Sequence, residues 1–266
     1  MAIINGRGRV GVRTSIDLSN PLWNSLVAGW KLDGDFNDVL GVANGTPINN
    51  VEFTTGKINQ GVLGNGSRTV AGAKFVDCGT SIANRNLQFP LALSSWVRQD
   101  YSSTISGSMP IWFDGNHLSA TRGGVWLQVT NPNALGGSSK IRFGYGNGTG
   151  VSGAAVKEFR TNNFVLAKGV YHHVVINYIN ASTFEVYVNG VSVSFSFLGG
   201  SATSMGWTGQ KTILCGSNNY NAPIDASSPN PTFEGGIDEV YLWNKTLTIS
   251  EITELYNSGN GKQYAN

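Results

Sequence analysis

Six residues carry the side chains best suited to recognition chemistry: Trp96, Arg98, Trp126, Gln128, Arg142 and Tyr187. Each lies in a run that alternates in character, and a period of two puts neighbours on opposite faces of a strand. In GVWLQV, Val125, Leu127 and Val129 point one way while Trp126 and Gln128 point the other. Ile141 and Phe143 likewise oppose Arg142, and Ser95 and Val97 oppose Trp96 and Arg98. Phe184, Val186 and Val188 oppose Glu185 and Tyr187. The aliphatic sets read as the core between two sheets. The second sets are expected to share one solvent-facing surface. Aromatic rings cover the apolar faces of sugars and planar polar groups bond their hydroxyls, so such a surface suits a carbohydrate. Trp112, Trp207 and Tyr220 are expected as further contributors from loops.

Residues that would suggest other chemistry are poorly arranged for it. His172 and His173 are neighbours in a strand-like run, so their rings face apart, and both read as structural. His117 falls in the polar stretch WFDGNHLS, with no partner set by spacing. The run GNGTG (146–150) lacks the Lys of a phosphate cradle and reads as a turn. No Gly-x-Ser-x-Gly elbow or zinc spacing occurs.

The elements that position the six residues are strands. Charged residues make up 13% of the chain, about half the usual ~25%, and Gly accounts for 35 of 266 residues. That balance favours sheets joined by many turns. Strand-like runs cover 26–32, 74–78, 91–98, 124–129, 140–145, 170–179, 182–190, 191–198, 211–216 and 237–243. Asn189-Gly190, between two alternating runs, predicts a tight hairpin because both central positions need positive φ. One helix is expected near the end: Thr248 and Glu251 fit a capping box, Ile252, Leu255 and Tyr256 form an apolar stripe, and Gly259 is the expected stop.

Residues 1–21 differ in character from the domain expected over 22–266. Arg7, Arg9 and Arg13 are spaced by glycines with no acid before Asp17, which reads either as a flexible basic assembly arm or as a solvated tail. A net charge of +2 gives no global attraction to nucleic acid. No secretory apolar region and no membrane-length apolar run is visible. Cys78 and Cys215 each end a strand-like run and read as buried free thiols; a disulfide would need Cα atoms within roughly 7 Å, which sequence does not show.

Four segments in order resemble the laminin-G-like/concanavalin A-like lectin and glucanase superfamily. They are LVAGWKLDGDFNDVLGVANGT, FPLALSSWVR, YHHVVINYINASTFEVYVNGVSV and GGIDEVYLWNKTLTISEITELYNSG, spanning about residues 22 to 260. The resemblance implies an all-β fold, a two-sheet antiparallel jelly-roll sandwich with one short C-terminal helix. It also implies a structural Ca²⁺, for which Asp38 and Asp238 are the first candidates and Asp33 the third; the alternative is that these are turn-forming or loop-bonded residues. Glucanases of the superfamily carry alternating carboxylates (Glu-x-Asp-x-x-Glu) that this chain lacks, and Asp238-Glu239 are adjacent, hence expected on opposite faces. The expectation is therefore a non-catalytic carbohydrate-binding or adhesion domain with a glycan or cell-surface polysaccharide as partner. Display on an extracellular or virion surface goes with it. The alternatives are a virion structural protein, contacting other virion proteins through its arm and lacking sugar binding, and an enzyme such as a polysaccharide lyase. A homo-oligomer stays open.

Overall fold

The computed structural model describes residues 20–67, 72–101, 108–114, 122–130, 137–150, 152–207, 211–216 and 232–264. The Arg7, Arg9 and Arg13 arm, His117 and Tyr220 lie outside the described residues.

In chain order the strands are β1 (Leu26–Trp30), β2 (Thr46–Ile48), β3 (Glu52–Thr55), β4 (Gln60–Asn65), β5 (Phe75–Asp77), β6 (Leu91–Gln99), β7 (Ser108–Asp114) and β8 (Gly123–Thr130). They continue as β9 (Lys140–Asn147), β10 (Val156–Thr161), β11 (Tyr171–Tyr178), β12 (Phe184–Val188), β13 (Val191–Ser192), β14 (Phe195–Gly199), β15 (Thr212–Leu214) and β16 (Glu234–Trp243). One helix, α1 (Ile249–Tyr256), follows. Every strand pairing is antiparallel. The first sheet has the order β13-β12-β11-β6-β16-β4-β3, with β1 also paired to β16, and the second has the order β14-β10-β9-β8-β7-β15-β5-β2.

Alternation holds where it decides the core. Val97, Val174, Ile176, Val186 and Val188 of the first sheet share a cluster with Val125, Leu127, Val129, Ile141 and Phe143 of the second. The Asn189-Gly190 turn has φ of 53° and 77°, the left-handed pair that a two-residue hairpin demands. The capping box is also formed: the Thr248 hydroxyl accepts from the Glu251 N–H and the Glu251 carboxylate accepts from the Thr248 N–H. The helix stops earlier than expected, at Asn257 in the left-handed conformation with φ 48°, a role Asn fills because its short side chain tolerates that region.

Five strands escape the sequence pattern: β2, β3, β4, β7 and β10. β4 is QGVLGN and β10 is VKEFRT, so glycine or charge hides their alternation. In β7 the ladder register slips between Pro110 and Trp112. Proline has no N–H to donate, so it is accommodated at such an irregularity. The single run expected over 191–198 is two strands, because the chain leaves the edge of one sheet at β13 and joins the edge of the other at β14. Cys78 and Cys215 are buried free thiols.

Candidate functional site

The six recognition residues do not share a surface. Trp96, Arg98 and Tyr187 belong to β6 and β12 of the first sheet, whereas Trp126, Gln128 and Arg142 belong to β8 and β9 of the second. Alternation assigns a face relative to the core, but not the sheet on which that face lies.

The outer face of the first sheet is closed by the ends of the described chain. Leu22 and Trp23 on one side and Ile252, Leu255 and Tyr264 on the other pack with Ala92, Val175, Tyr187, Tyr241 and Trp243. Tyr187 is accordingly 6% exposed and Trp96 2%. The Trp96 ring lies 5.1 Å from the His173 ring and 5.9 Å from that of Tyr256, with the Lys57 ammonium 5.0 Å from its centroid. Both are packing residues beneath α1, not platforms open to a ligand. His173 gives or takes a 2.8 Å hydrogen bond at Nε2 with Ser94 Oγ, and burial holds its pKa down to about 3, so the ring is neutral. Arg98 is engaged locally: its guanidinium contacts both Asp100 oxygens at 2.8–3.1 Å and sits 5.1 Å from the Tyr171 ring. Of the expected loop contributors, Trp112 is buried edge-on to Trp30 at 5.4 Å, and the Trp207 indole N–H donates to the Leu87 carbonyl at 2.6 Å.

The outer face of the second sheet is different. Register places Pro110, Gln128, Arg142, Arg160 and Ser196 side by side in one cross-strand row running β7-β8-β9-β10-β14. The adjacent row brings Trp126, Gly144 and Glu158 together. Trp126 is 0% exposed. Its ring lies over Gly144, where an added Cβ would stand 2.6 Å from ring carbon Cζ2 and 2.3 Å from the Lys157 carbonyl. Ala155 and Val156 pack against the same indole, and the Arg122 guanidinium lies 5.7 Å from its centroid. Trp126 therefore supports the face rather than stacking on a ligand. Glu158 joins two guanidiniums across it: Oε1 accepts from Arg122 Nη1 at 2.8 Å and Oε2 from Arg142 Nη2 at 2.6 Å. Burial pushes the Arg122 pKa down, opposed by Glu158 and reinforced by the like charge of Arg142. Exposure rises along the first row, from Gln128 at 4% through half-buried Arg142 to exposed Arg160. Arg122 escaped sequence reading because it precedes the strand-like run that begins at Gly124, and Glu158 and Arg160 because Lys157, Glu158 and Arg160 interrupt the apolar alternation of VKEFRT. Its Glu and Arg two residues apart, on one face, were the available clue.

The acidic residues are held as structural acceptors. Asp38 takes backbone N–H groups from Gly29, Leu40, Val42 and Ala43, at 2.8–3.3 Å. Asp238 accepts from the N–H groups of Lys57 (2.7 Å), Ile58 (2.8 Å) and Glu239 (2.8 Å). Asp33 accepts from Gln60 N at 3.1 Å, Asn59 Nδ2 at 3.1 Å and Gln263 Nε2 at 2.5 Å. Oxygens wrapped in N–H donors do not suit a hard cation that needs six to eight free oxygen ligands. Among the described residues no three His, Cys, Asp or Glu side chains are grouped to hold a metal. The three carboxylates thus do not fit the Ca²⁺ that the family resemblance implied.

Asp238 and Glu239 also depart from simple alternation. Glu239 has φ 48°, and the β16–β6 register slips between Asp238 and Tyr241. Instead of facing apart, the two carboxyls feel one another and Asp33. Burial, opposed by N–H bonds, pushes Asp238 up to about 7; burial and the Asp238 charge push Glu239 up to about 9. Gln263 Nε2 donates to Glu239 Oε1 at 2.7 Å, and the Tyr241 hydroxyl donates to Oε2.

A family model, Laminin_G_3 of the concanavalin A-like lectin/glucanases superfamily, matches residues 78–253. No curated protein matches the chain in sequence. Among solved structures the chain is similar to domain 4 of AbnA, a GH43 extracellular arabinanase from Geobacillus stearothermophilus, in complex with arabinotriose. The TM-score is 0.56 at 17% identity, over 90% of this chain and 98% of that one. It is also similar to the binding domain of Paraclostridial Mosquitocidal Protein 1, with TM-score 0.60 at 14% identity, over 90% of this chain and 53% of that one. The binding domain of Botulinum Neurotoxin DC in complex with SialylT gives TM-score 0.59 at 12% identity, over 89% and 52%. The chain thus spans about half the length of the two toxin chains.

Proposed function

The chain belongs to the concanavalin A-like lectin/glucanases superfamily, and on that premise we propose that it is a non-catalytic carbohydrate-binding domain whose binding face is the outer surface of the second sheet. The observation that carries the reading is the cross-strand pair Arg142–Arg160, two forked hydrogen-bonding side chains on adjacent strands about 4.8 Å apart, with Gln128 buried beside them at the inner end of the row. Side chains so spaced can reach separate polar groups of one saccharide unit. The row stands on a rigid base, because Trp126 and the Arg122–Glu158–Arg142 bridge fix its geometry from beneath. The opposite face of the sandwich is covered by α1 and the Pro21–Trp23 turn.

Among the described residues, the carboxylates on this face support binding over hydrolysis. Glu158 on β10 and Asp77 on β5 are five strands apart in the sheet order, roughly 24 Å at the usual spacing. Glycosidase carboxyl pairs stand about 5 to 9.5 Å apart. Both are also paired, Glu158 with two arginines and Asp77 with Lys211 at 2.5 Å.

Display on an extracellular or virion surface belongs to the same proposal, since that is where glycans are met. Deleting residues 1–15 is then expected to leave sugar binding intact while abolishing assembly with neighbouring proteins.

The test is a glycan array followed by calorimetry on the double variant Arg142→Gln/Arg160→Gln. Binding by the wild type and at least a tenfold loss in a folded double variant are expected. Full affinity in that variant would place the site elsewhere.

A further inference from the structure

Arg142 and Arg160 are direct cross-strand partners on β9 and β10, so their side chains leave the same face side by side. Like charges directly opposite in an antiparallel pair are destabilising. The neighbouring acid, Glu158, lies two residues from Arg160 on the same strand and face, yet both of its oxygens are taken, Oε1 by Arg122 and Oε2 by Arg142. Arg160 therefore has no ion pair among the described residues. Arg142 is only partly satisfied: beyond Glu158 it has a long 3.4 Å bond from Nη1 to Ser108 Oγ, while its Nε is buried without an acceptor. The next side chain along the row past Arg160 is Ser196, on the edge strand β14, which adds no counter-charge.

Resting on the binding face proposed above, we infer that the saccharide it takes is anionic, with a carboxylate or sulfate seated between the Arg142 and Arg160 guanidiniums. The Arg160 fork together with Nη1 of Arg142 offers N–H donors to two oxygens of one planar or tetrahedral anion, which relieves the mutual repulsion of the two guanidiniums. The edge position leaves room for a chain to pass across β14 without meeting another strand.

The experiment compares matched ligands on the full chain by calorimetry: oligogalacturonides against their methyl esters, and sulfated carrageenan oligomers against their desulfated forms. Arg160→Gln, an exposed change that leaves the Glu158 bridge in place, is measured alongside. At least tenfold tighter binding of an acidic member is expected, with that preference lost in Arg160→Gln and weakened by raising salt from about 50 to 500 mM. The carboxylate and sulfate arms say which anion is read. Equal or tighter binding of the neutral members would overturn the inference while leaving the binding face standing. A preference that Arg160→Gln leaves unchanged would also overturn it. Inorganic sulfate competing as well as the acidic oligomer would reduce the site to a bare anion pocket and overturn it too. Failure of all four ligand classes, followed by an array on which no glycan binds, would remove the binding face itself.

Discussion

Trp126 shows how a residue's surroundings decide its role. Its indole is enclosed by Gly144, Ala155, Val156 and Arg122, so truncation would leave a cavity under the bridge of Glu158. Trp126→Ala is expected to cost about 3–5 kcal/mol of stability, the range for a buried large aromatic. A denaturant titration checks this. A folded variant of wild-type stability that had lost only sugar affinity would instead make the ring a ligand platform. Gly144 is constrained from the other side. Gly144→Ala would drive a methyl into both the Trp126 ring and the Lys157 carbonyl, one of them backbone that has nowhere to move. It is expected to destabilise by at least about 1–3 kcal/mol through overpacking. An unchanged midpoint would mean that β9 and β10 can separate at this point.

At the scale of the element, α1 matters more for what it covers than for its own stability. Eight residues are too few to persist alone in water. It is held by Ile252 and Leu255 against the first sheet, by its capping box, and by Asn20 and Lys262, both bonded to Glu254. Thr248→Ala removes the cap acceptor and is expected to cost about 1 kcal/mol. The informative readout is local: hydrogen exchange should quicken in α1 and at the Trp96 indole, which Tyr256 overlies, while the second sheet stays protected. Uniform loss of protection would mean that the helix unfolds only with the whole domain.

For the whole molecule, the buried acids tie stability to pH. Asp238 and Glu239 titrate near 7 and 9 in the fold and in the ordinary carboxylate range, near 4, when unfolded. Between those limits the folded chain holds more protons than the unfolded one, so stability falls as pH rises, by about 1.4 kcal/mol per unit for each group in its window. Asp114, raised by burial to about 7 despite bonds from Thr212 and Trp112, acts in the same direction. His173 acts oppositely: its depressed pKa favours the fold above about 6.5 and costs stability as pH falls toward 3. Above pH 7 Glu239 dominates among these groups. Melting temperature is therefore expected to decline from pH 7 to 9 in the wild type, whereas Glu239→Gln declines less, mainly above about pH 8.5 where the buried thiols Cys78 and Cys215 resist ionisation in both proteins, and is the more stable at pH 9. Parallel declines in both proteins would sink this account of Glu239.

Alternation, turn chemistry and capping are local properties, so Val125-Leu127-Val129, Asn189-Gly190 and Thr248-Glu251 disclosed their strand face, hairpin and helix start without any fold. Segments whose local signal is weak, such as VKEFRT and QGVLGN, became strands only because neighbours supplied the other half of their hydrogen bonds. The binding face depended on still longer-range facts. Sequence shows that Trp96 and Trp126 point away from the core, but the two ends of the described chain, both far from Trp96 in sequence, close one outer face and leave the other. Likewise, only pairing across β9 and β10 brings Arg142 beside Arg160, because cross-strand neighbours are chosen by sheet order and register rather than by position along the chain.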